Sequence, residues 1–207
     1  PKEIVKNTDV INSKEAYRLG YAIAQVNKMF IISQAEGKLI LVDQHAAHER
    51  VVLEKIKKEY KNNNVARQLL LVPEIIKIGK SKNLIIENRE QINKTGIIFE
   101  DYGENDLLVR EIPAILGKIN IQYLFEDILE KIKMIGKIQS GSAKIEEIFS
   151  SIACHNSIRA GRKLNIEEMN SLLRLMEKTP NAGQCNHGRP TFIELNFSDI
   201  ERMFGRI

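Results

Sequence analysis

The sequence predicts an α+β protein in two lobes. One lobe is assembled from both chain ends, residues 1–62 and 145–207, and the second is the stretch inserted between them, residues 63–144. Three observations predict this. Short runs of β-forming residues alternate with stretches of helical periodicity along the chain. The polar run Lys61-Asn62-Asn63-Asn64 interrupts that alternation and gives the first clear boundary. The middle stretch contains no histidine or cysteine, so the chemistry of metal ligands and nucleophiles is confined to the two ends.

Each element has a local reason. Residues 1–12 are polar and aperiodic, the expected end of a linker. Residues 21–33 are rich in β-formers, Glu36-Gly37 offers a turn, and residues 38–42 form a second strand, so a hairpin is expected. A helix follows to about Tyr60, with Asp43 near its start, where a side-chain oxygen suits the free backbone N–H groups. In the middle, residues 68–72 and 75–78 are expected as short strands broken at Pro73, and Ser81 as the cap of a helix carrying Leu84, Ile85 and Ile92. Strands at residues 96–99 and 107–110 flank the turn Tyr102-Gly103-Glu104-Asn105, and residues 121–135 form an amphipathic helix. The last third opens with a helix over residues 145–158, followed by Gly161. A second helix spans residues 166–178, capped by Asn165 with Glu168 three residues on; Met169, Leu172, Leu173 and Met176 form its apolar face. A strand at residues 192–197 leads to Ser198-Asp199-Ile200-Glu201, which has the pattern of a capping box.

Composition sets bounds. The chain has 207 residues, 43% hydrophobic and 28% charged, which suits one large globular domain or two small ones. No apolar run approaches the ~20 residues needed to span a bilayer, and no signal peptide is present. The first residue is Pro1, so the chain is expected to be a fragment of a longer protein. A net charge of +4 permits only weak non-specific attraction to nucleic acid. The Lys55, Lys57, Lys58 and Lys61 cluster suits a solvated helix face. Two cysteines without a secretory signal argue for a reducing compartment.

The densest chemistry follows an apolar strand, where Leu39-Ile40-Leu41-Val42 runs into Asp43-Gln44-His45-Ala46-Ala47-His48-Glu49-Arg50. On a helix, His45 and Glu49 lie within about 40° of each other, on the side of Val52, Ile56 and Tyr60. A buried imidazole and carboxylate each need a partner, and one divalent cation satisfies both. The alternative is that they sit at the wet helix end and bond to each other. Asp43 suits a supporting or second-metal carboxylate, an N-cap, or both. Glu54 falls on the opposite face, in ion-pair register with Lys58, and His48 is borderline.

Cys154 lies opposite Ile145, Phe149 and Ile152 on its helix; alone, it reads as a small hydrophobe. Cys185-Asn186-His187 places two ligand types at i and i+2 in a loop freed by Gly183 and Gly188. Joined to His45, Glu49 and Cys154, they make a sulfur, nitrogen and oxygen set of the kind zinc prefers. A disulfide between the two cysteines is the alternative. Arg189 offers a donor to a phosphate or an acidic neighbour. A Cys–His nucleophile is disfavoured because no oxyanion-hole segment accompanies it, and neither a P-loop nor a dinucleotide fingerprint occurs.

These residues resemble a known family, the C-terminal domains of the MutL proteins of DNA mismatch repair. The resemblance covers nearly the whole chain and rests on four motifs in the family's order. They are Asp43-Gln44-His45-Ala46 with Glu49 and Glu54 at the spacing of the endonuclease motif, Ala153-Cys154, the run Gly183-Gln184-Cys185-Asn186-His187-Gly188-Arg189-Pro190, and Phe204-Gly205-Arg206.

The resemblance implies a metal-dependent endonuclease that nicks the newly made, discontinuous DNA strand, dimerises through this domain and lies downstream of an ATPase domain. It implies Asp43, His45 and Glu49 as catalytic positions and His45, Glu49, Cys154, Cys185 and His187 as metal positions, with Glu54, Arg189 and Arg206 in support. Zinc is implied as structural or regulatory, and manganese or magnesium as the ion of cleavage. Gln68-Leu69-Leu70-Leu71-Val72-Pro73 is similar to the family's docking sequence for the replicative sliding clamp, with Gln68, Leu71, Val72 and Pro73 as contacts; a plain strand with a turn proline is the alternative.

The implied partners are a second copy, DNA, the clamp and, through the full-length protein, a mismatch-recognition protein. The implied setting is the bacterial cytoplasm at the nucleoid, without a membrane. Two departures stand out: Asn186 where the family usually has proline, expected to loosen the chelating loop, and His155 where arginine or lysine is common, expected to forfeit a fixed charge. The rival expectation is a zinc-stabilised dimerisation and clamp-binding platform without catalysis in this fragment.

Overall fold

The computed structural model describes residues 17–135, 141–157 and 162–206. The expected linker end at residues 1–12, Ile158 and Gly161 lie outside the described residues. The α+β class holds: helices pack on two separate antiparallel sheets.

The first sheet begins with β1 (Tyr21–Val26), β2 (Phe30–Ala35) and β3 (Lys38–Asp43). Residues 21–33 are therefore two strands. Asn27 and Lys28 both adopt positive φ, 51° and 52°, forming a turn whose twist matches that of the flanking strands. β7 (Phe192–Asn196) pairs with β3, giving the order β1-β2-β3-β7, so residues 150 apart in sequence share one sheet. Side chains alternate across it. Ile31, Ser33, Ile40 and Val42 are buried on one face. Pairing of Leu41 with Ile32 and Ile193, and of Leu39 with Leu195, places those residues on the other.

α1 (Gln44–Lys61) starts immediately after β3. α6 (Ile166–Lys178) packs against β1 and α1, and its Met169, Leu172, Leu173 and Met176 complete a core with Leu19, Ile31, Ile40, Val42 and Ala47. Its expected capping box is present: Asn165 Oδ1 accepts from Glu168 N (2.8 Å) and Glu168 Oε2 from Asn165 N (3.0 Å). The second expected box is not used. α7 (Phe197–Met203) follows Asn196, whose side chain caps no helix N–H and donates instead to Asp199 Oδ2 (3.0 Å); Phe197 already belongs to the helix and donates to Gly37 O (3.0 Å).

The second sheet has the order β4-β6-β5, from β4 (Arg67–Lys77), β5 (Ile98–Tyr102) and β6 (Asp106–Pro113). Pro73 does not divide β4. The strand lies at the sheet edge, and its register slips between Leu69 and Glu74, so the missing N–H breaks no central ladder. The helix expected after Ser81 is two short ones, α2 (Lys82–Glu87) and α3 (Arg89–Lys94). Asn88 separates them and donates from its side chain to Leu84 O at 2.7 Å, while Ser81 makes no cap bond.

α4 (Ile121–Ile135) has the expected bounds, and α5 (Gly141–Ser157) begins earlier than expected. The larger core joins Ile76, Leu107 and Val109 of the second sheet to Phe125 of α4, Phe149 and Ile152 of α5, and Val52, Leu53 and Ile56 of α1. α1 is therefore a wall common to both cores, with Ala47 in one and Val52 in the other. Among the described residues, no helix is long and apolar enough to cross a membrane.

Candidate metal centre

The junction of β3 and α1 is fixed by three bonds. Asp43 caps the helix, its Oδ1 accepting from Ala46 N at 2.9 Å. Its own N–H donates to Thr191 O (2.8 Å), and Gln44 N–H donates to Met29 O (2.9 Å). The bond to Thr191 matters most, because Thr191 closes the loop that carries Cys185 and His187. That loop is tightly folded. Cys185 N donates to Arg189 O (2.7 Å), Gly188 N to Cys185 O (3.1 Å) and His187 N to Cys185 Sγ (3.4 Å). Gly188 sits at φ +76°, where an L side chain is strained. The Thr191 hydroxyl, fully buried, donates to Ala182 O. Arg50 Nε reaches Asn181 O at 3.1 Å and clamps the start of the loop to α1.

Glu49 meets this loop. It is 5% exposed, and Asn186 Nδ2 donates to its Oε1 at 2.6 Å. Asn186 thus binds the loop to α1 across 137 residues of sequence; it does not loosen it. Among the described residues, no Lys, Arg or His lies within ion-pair distance of the Glu49 carboxylate. Asn186 Oδ1 is buried without a hydrogen-bond partner among those residues.

Cys154 lies at the surface of α5, which packs beside α1. Burial pushes its thiol pKa up, and the negative charges of Glu49 and Asp127 push it further, against Lys131. A divalent cation reverses that pressure by stabilising the thiolate. Cys185 is buried, and no disulfide joins it to Cys154.

The expected stripe is half right. Glu49, Val52 and Ile56 are buried, but His45 is exposed, because Gln44 and Ala47 are the first-turn residues turned inward. His187 is exposed as well. His48 is partly buried, and desolvation, then His45 and Arg162, lower its pKa, so the imidazole is neutral at neutral pH. Glu54 pairs with Arg50 at 3.4 Å, four residues before it, instead of with Lys58. Arg189 and Arg206 are exposed and make no ion pair among the described residues. His155 Nε2 is 3.8 Å from Asp127 Oδ2; burial lowers its pKa more than Asp127 raises it. On β4, Gln68 is exposed and Leu71 and Val72 project from the register slip, while Pro73 is partly buried.

The structure brings Asp43, Glu49 and the Cys185–His187 loop together and sets Cys154 within electrostatic reach of Glu49. It does not gather the donors: among the described residues, no three His, Cys, Asp or Glu side chains are close enough to hold one metal ion. The fit to a metal is in the chemistry of the residues, not in their spacing. Among the described residues, a buried carboxylate without an ion pair, a buried amide oxygen without a donor and thiols on the neighbouring helix and loop suit a divalent cation. Sequence reasoning missed Arg50 and Asn186 as the residues that hold the loop; neither carries a local signal.

Beside this centre, a cleft of about 810 Å³ runs along α1, lined by Gln44, His48, Lys55, Asn156, Arg162 and Glu168 among others. Comparison with known proteins then places the chain. Residues 23–164 match the family described as the MutL C terminal dimerisation domain. The chain is similar to the DNA mismatch repair protein MutL of Rickettsia bellii (strain OSU 85-389), 49% identical over 192 residues, covering 92% of this chain and 31% of that protein. It is similar to that of Rickettsia akari (strain Hartford), 50% identical over 192 residues (92% and 32%), and that of Rickettsia peacockii (strain Rustic), 47% over 196 residues (94% and 32%). The chain spans about a third of the length of the curated relatives it matches. By family match and by identity, this chain belongs to the MutL C-terminal dimerisation domains.

Proposed function

We propose that the chain is the homodimerising, metal-dependent nicking module of a mismatch-repair protein, acting on the discontinuous DNA strand. One observation carries the reading: Glu49, buried and without an ion pair among the described residues, is hydrogen-bonded to the loop that bears Cys185 and His187, while Asp43 is tied to the end of that same loop. His45, Glu49, Cys154, Cys185 and His187 would hold zinc, and Asp43 with Glu49 would hold manganese or magnesium. The chemistry such an ion would supply there is polarisation of a phosphate oxygen and a lowered pKa of bound water. Asp43 and Glu49 fix the acidic positions at the helix start, the loop bonds keep them in register, and Lys55 and Arg162 in the adjacent cleft attract the DNA backbone. Glu54, Arg189 and Arg206 support these positions.

The outer face of the first sheet supports the homodimer. It presents Ile32, Leu39 and Leu41 with Ile193 (47% exposed) and Leu195 (37%), a contiguous apolar surface of the kind that marks an interface. Residues 1–62 and 145–207 form the dimerising, metal-bearing lobe in this proposal, and residues 63–144 the external lobe. In that lobe, Leu71 is fully exposed and Val72 79% exposed beside Gln68, which supports docking on the sliding clamp. Gln68→Ala with Leu71→Ala is expected to abolish clamp capture and leave the fold intact, because neither side chain is buried. Undiminished capture would remove the clamp from the proposal.

Nicking of supercoiled plasmid by the full-length protein, with manganese and the clamp, tests the catalytic reading. Asp43→Asn keeps a good N-cap and removes the charge. Nicking lost in that variant is the expected result. Equal nicking by both proteins excludes Asp43. No nicking by either, with zinc retained and the dimer intact, favours the second reading, a zinc-stabilised dimerisation and clamp platform.

A further inference from the structure

We propose that Asn186 is a positioning residue of the metal centre, holding the Glu49 carboxylate in the orientation that a cation requires; the inference rests on the metal-centre reading above. The carboxylate is buried, and among the described residues it has no ion-pair partner, so its orientation is set by hydrogen bonding. The bond from Asn186 Nδ2 to Oε1, 2.6 Å, fixes the terminal torsion of the side chain. With Oε1 engaged, Oε2 would be the oxygen left for a metal.

The bond also sets the spacing between elements. Asn186 lies between Cys185 and His187 in a loop closed by its own backbone bonds, from Cys185 N to Arg189 O and from Gly188 N to Cys185 O. A bond from the middle of that loop to α1 keeps the loop that carries Cys185 and His187 beside Glu49. Proline at this position, as in the resembled pattern, has no side-chain donor, so the tether is a feature of this chain. The other end of the amide points to the same role. Asn186 Oδ1 is buried and accepts no hydrogen bond among the described residues, an arrangement that a cation at Glu49, or water bound to it, satisfies.

The test is zinc affinity of the full-length protein by competition with a chromophoric chelator, together with the visible spectrum of the cobalt-substituted protein. The parent, Asn186→Leu, Asn186→Ala and Cys185→Ser are compared. Loss of the tether is expected to weaken zinc binding about 10–100-fold, the usual effect of removing a group that orients a ligand, and to alter the cobalt spectrum. Alanine decides the matter if leucine disturbs the loop. Unchanged affinity and spectrum in a variant whose metal-free melting temperature falls would make Asn186 a cross-link only, and overturn the proposal. No zinc held by the parent, or Cys185→Ser binding as tightly as the parent, overturns the metal-centre reading and this inference with it.

Discussion

Glu49→Gln reduces manganese-dependent nicking by more than ~100-fold, beyond the upper end of what loss of an outer-shell partner does to a metal site. The substitution is nearly isosteric and keeps an oxygen to accept from Asn186, so the tether to the loop survives. What disappears is the negative charge. That charge is costly to bury in the metal-free protein, because Glu49 is 5% exposed and has no ion pair among the described residues. A neutral amide is cheaper to bury than an unpaired carboxylate, so the metal-free melting temperature stays the same or rises. The pair of results separates function from folding. Plasmid nicking at matched protein concentration, with thermal melts in chelator, measures both. Nicking at the parent rate removes Glu49 from the site, and a large fall in metal-free stability shows that its charge is structural.

Leu41→Glu separates the dimer. Leu41 pairs with Ile32 on one side and Ile193 on the other, in the middle of the outer face of the sheet. The inner neighbours Ile40 and Val42 are fully buried, so the substitution leaves the core of the protomer intact. A glutamate at the centre of an apolar interface must be desolvated on association without a partner. Central interface positions are worth about 2–4 kcal/mol, a rise in the dimer dissociation constant of roughly 30–1000-fold. Sedimentation velocity across a concentration series measures it, with far-UV circular dichroism unchanged. A dimer of parental affinity places the interface elsewhere.

The helices were the most legible part of the fold. α4 and α6 match their expected bounds because their apolar periodicity is strong, and the Asn165–Glu168 box is real because it stands at the start of such a stretch. The same pattern at Ser198–Glu201 failed because pairing of β7 with β3 carries the chain directly into the helix, leaving Asn196 at the cap. The turn at Asn27-Lys28 was hidden because it contains no glycine. The slip in β4 was hidden because proline on an edge strand breaks nothing that the sequence displays.

At the site, residue type alone suggested the candidate ligands, and a helical projection placed Glu49 inward, where the structure has it. The projection failed for His45 because it treats the first turn like the middle of a helix, whereas the last bonds of β3 turn Gln44 inward instead. The Asn186–Glu49 bond was not legible, since it joins residues 137 apart and looked like a departure from the resembled motif.

In the proposed site, α1, α5 and the loop at 185–187 make one metal centre. X-ray absorption at the zinc edge, on the full-length protein loaded with one zinc per chain, tests it most directly. The predicted result is a first shell with sulfur at about 2.3 Å and nitrogen or oxygen at about 2.0–2.1 Å, the sulfur contribution halving in Cys154→Ser and again in Cys185→Ser. A shell of nitrogen and oxygen alone, or a sulfur signal unaffected by both substitutions, would contradict it.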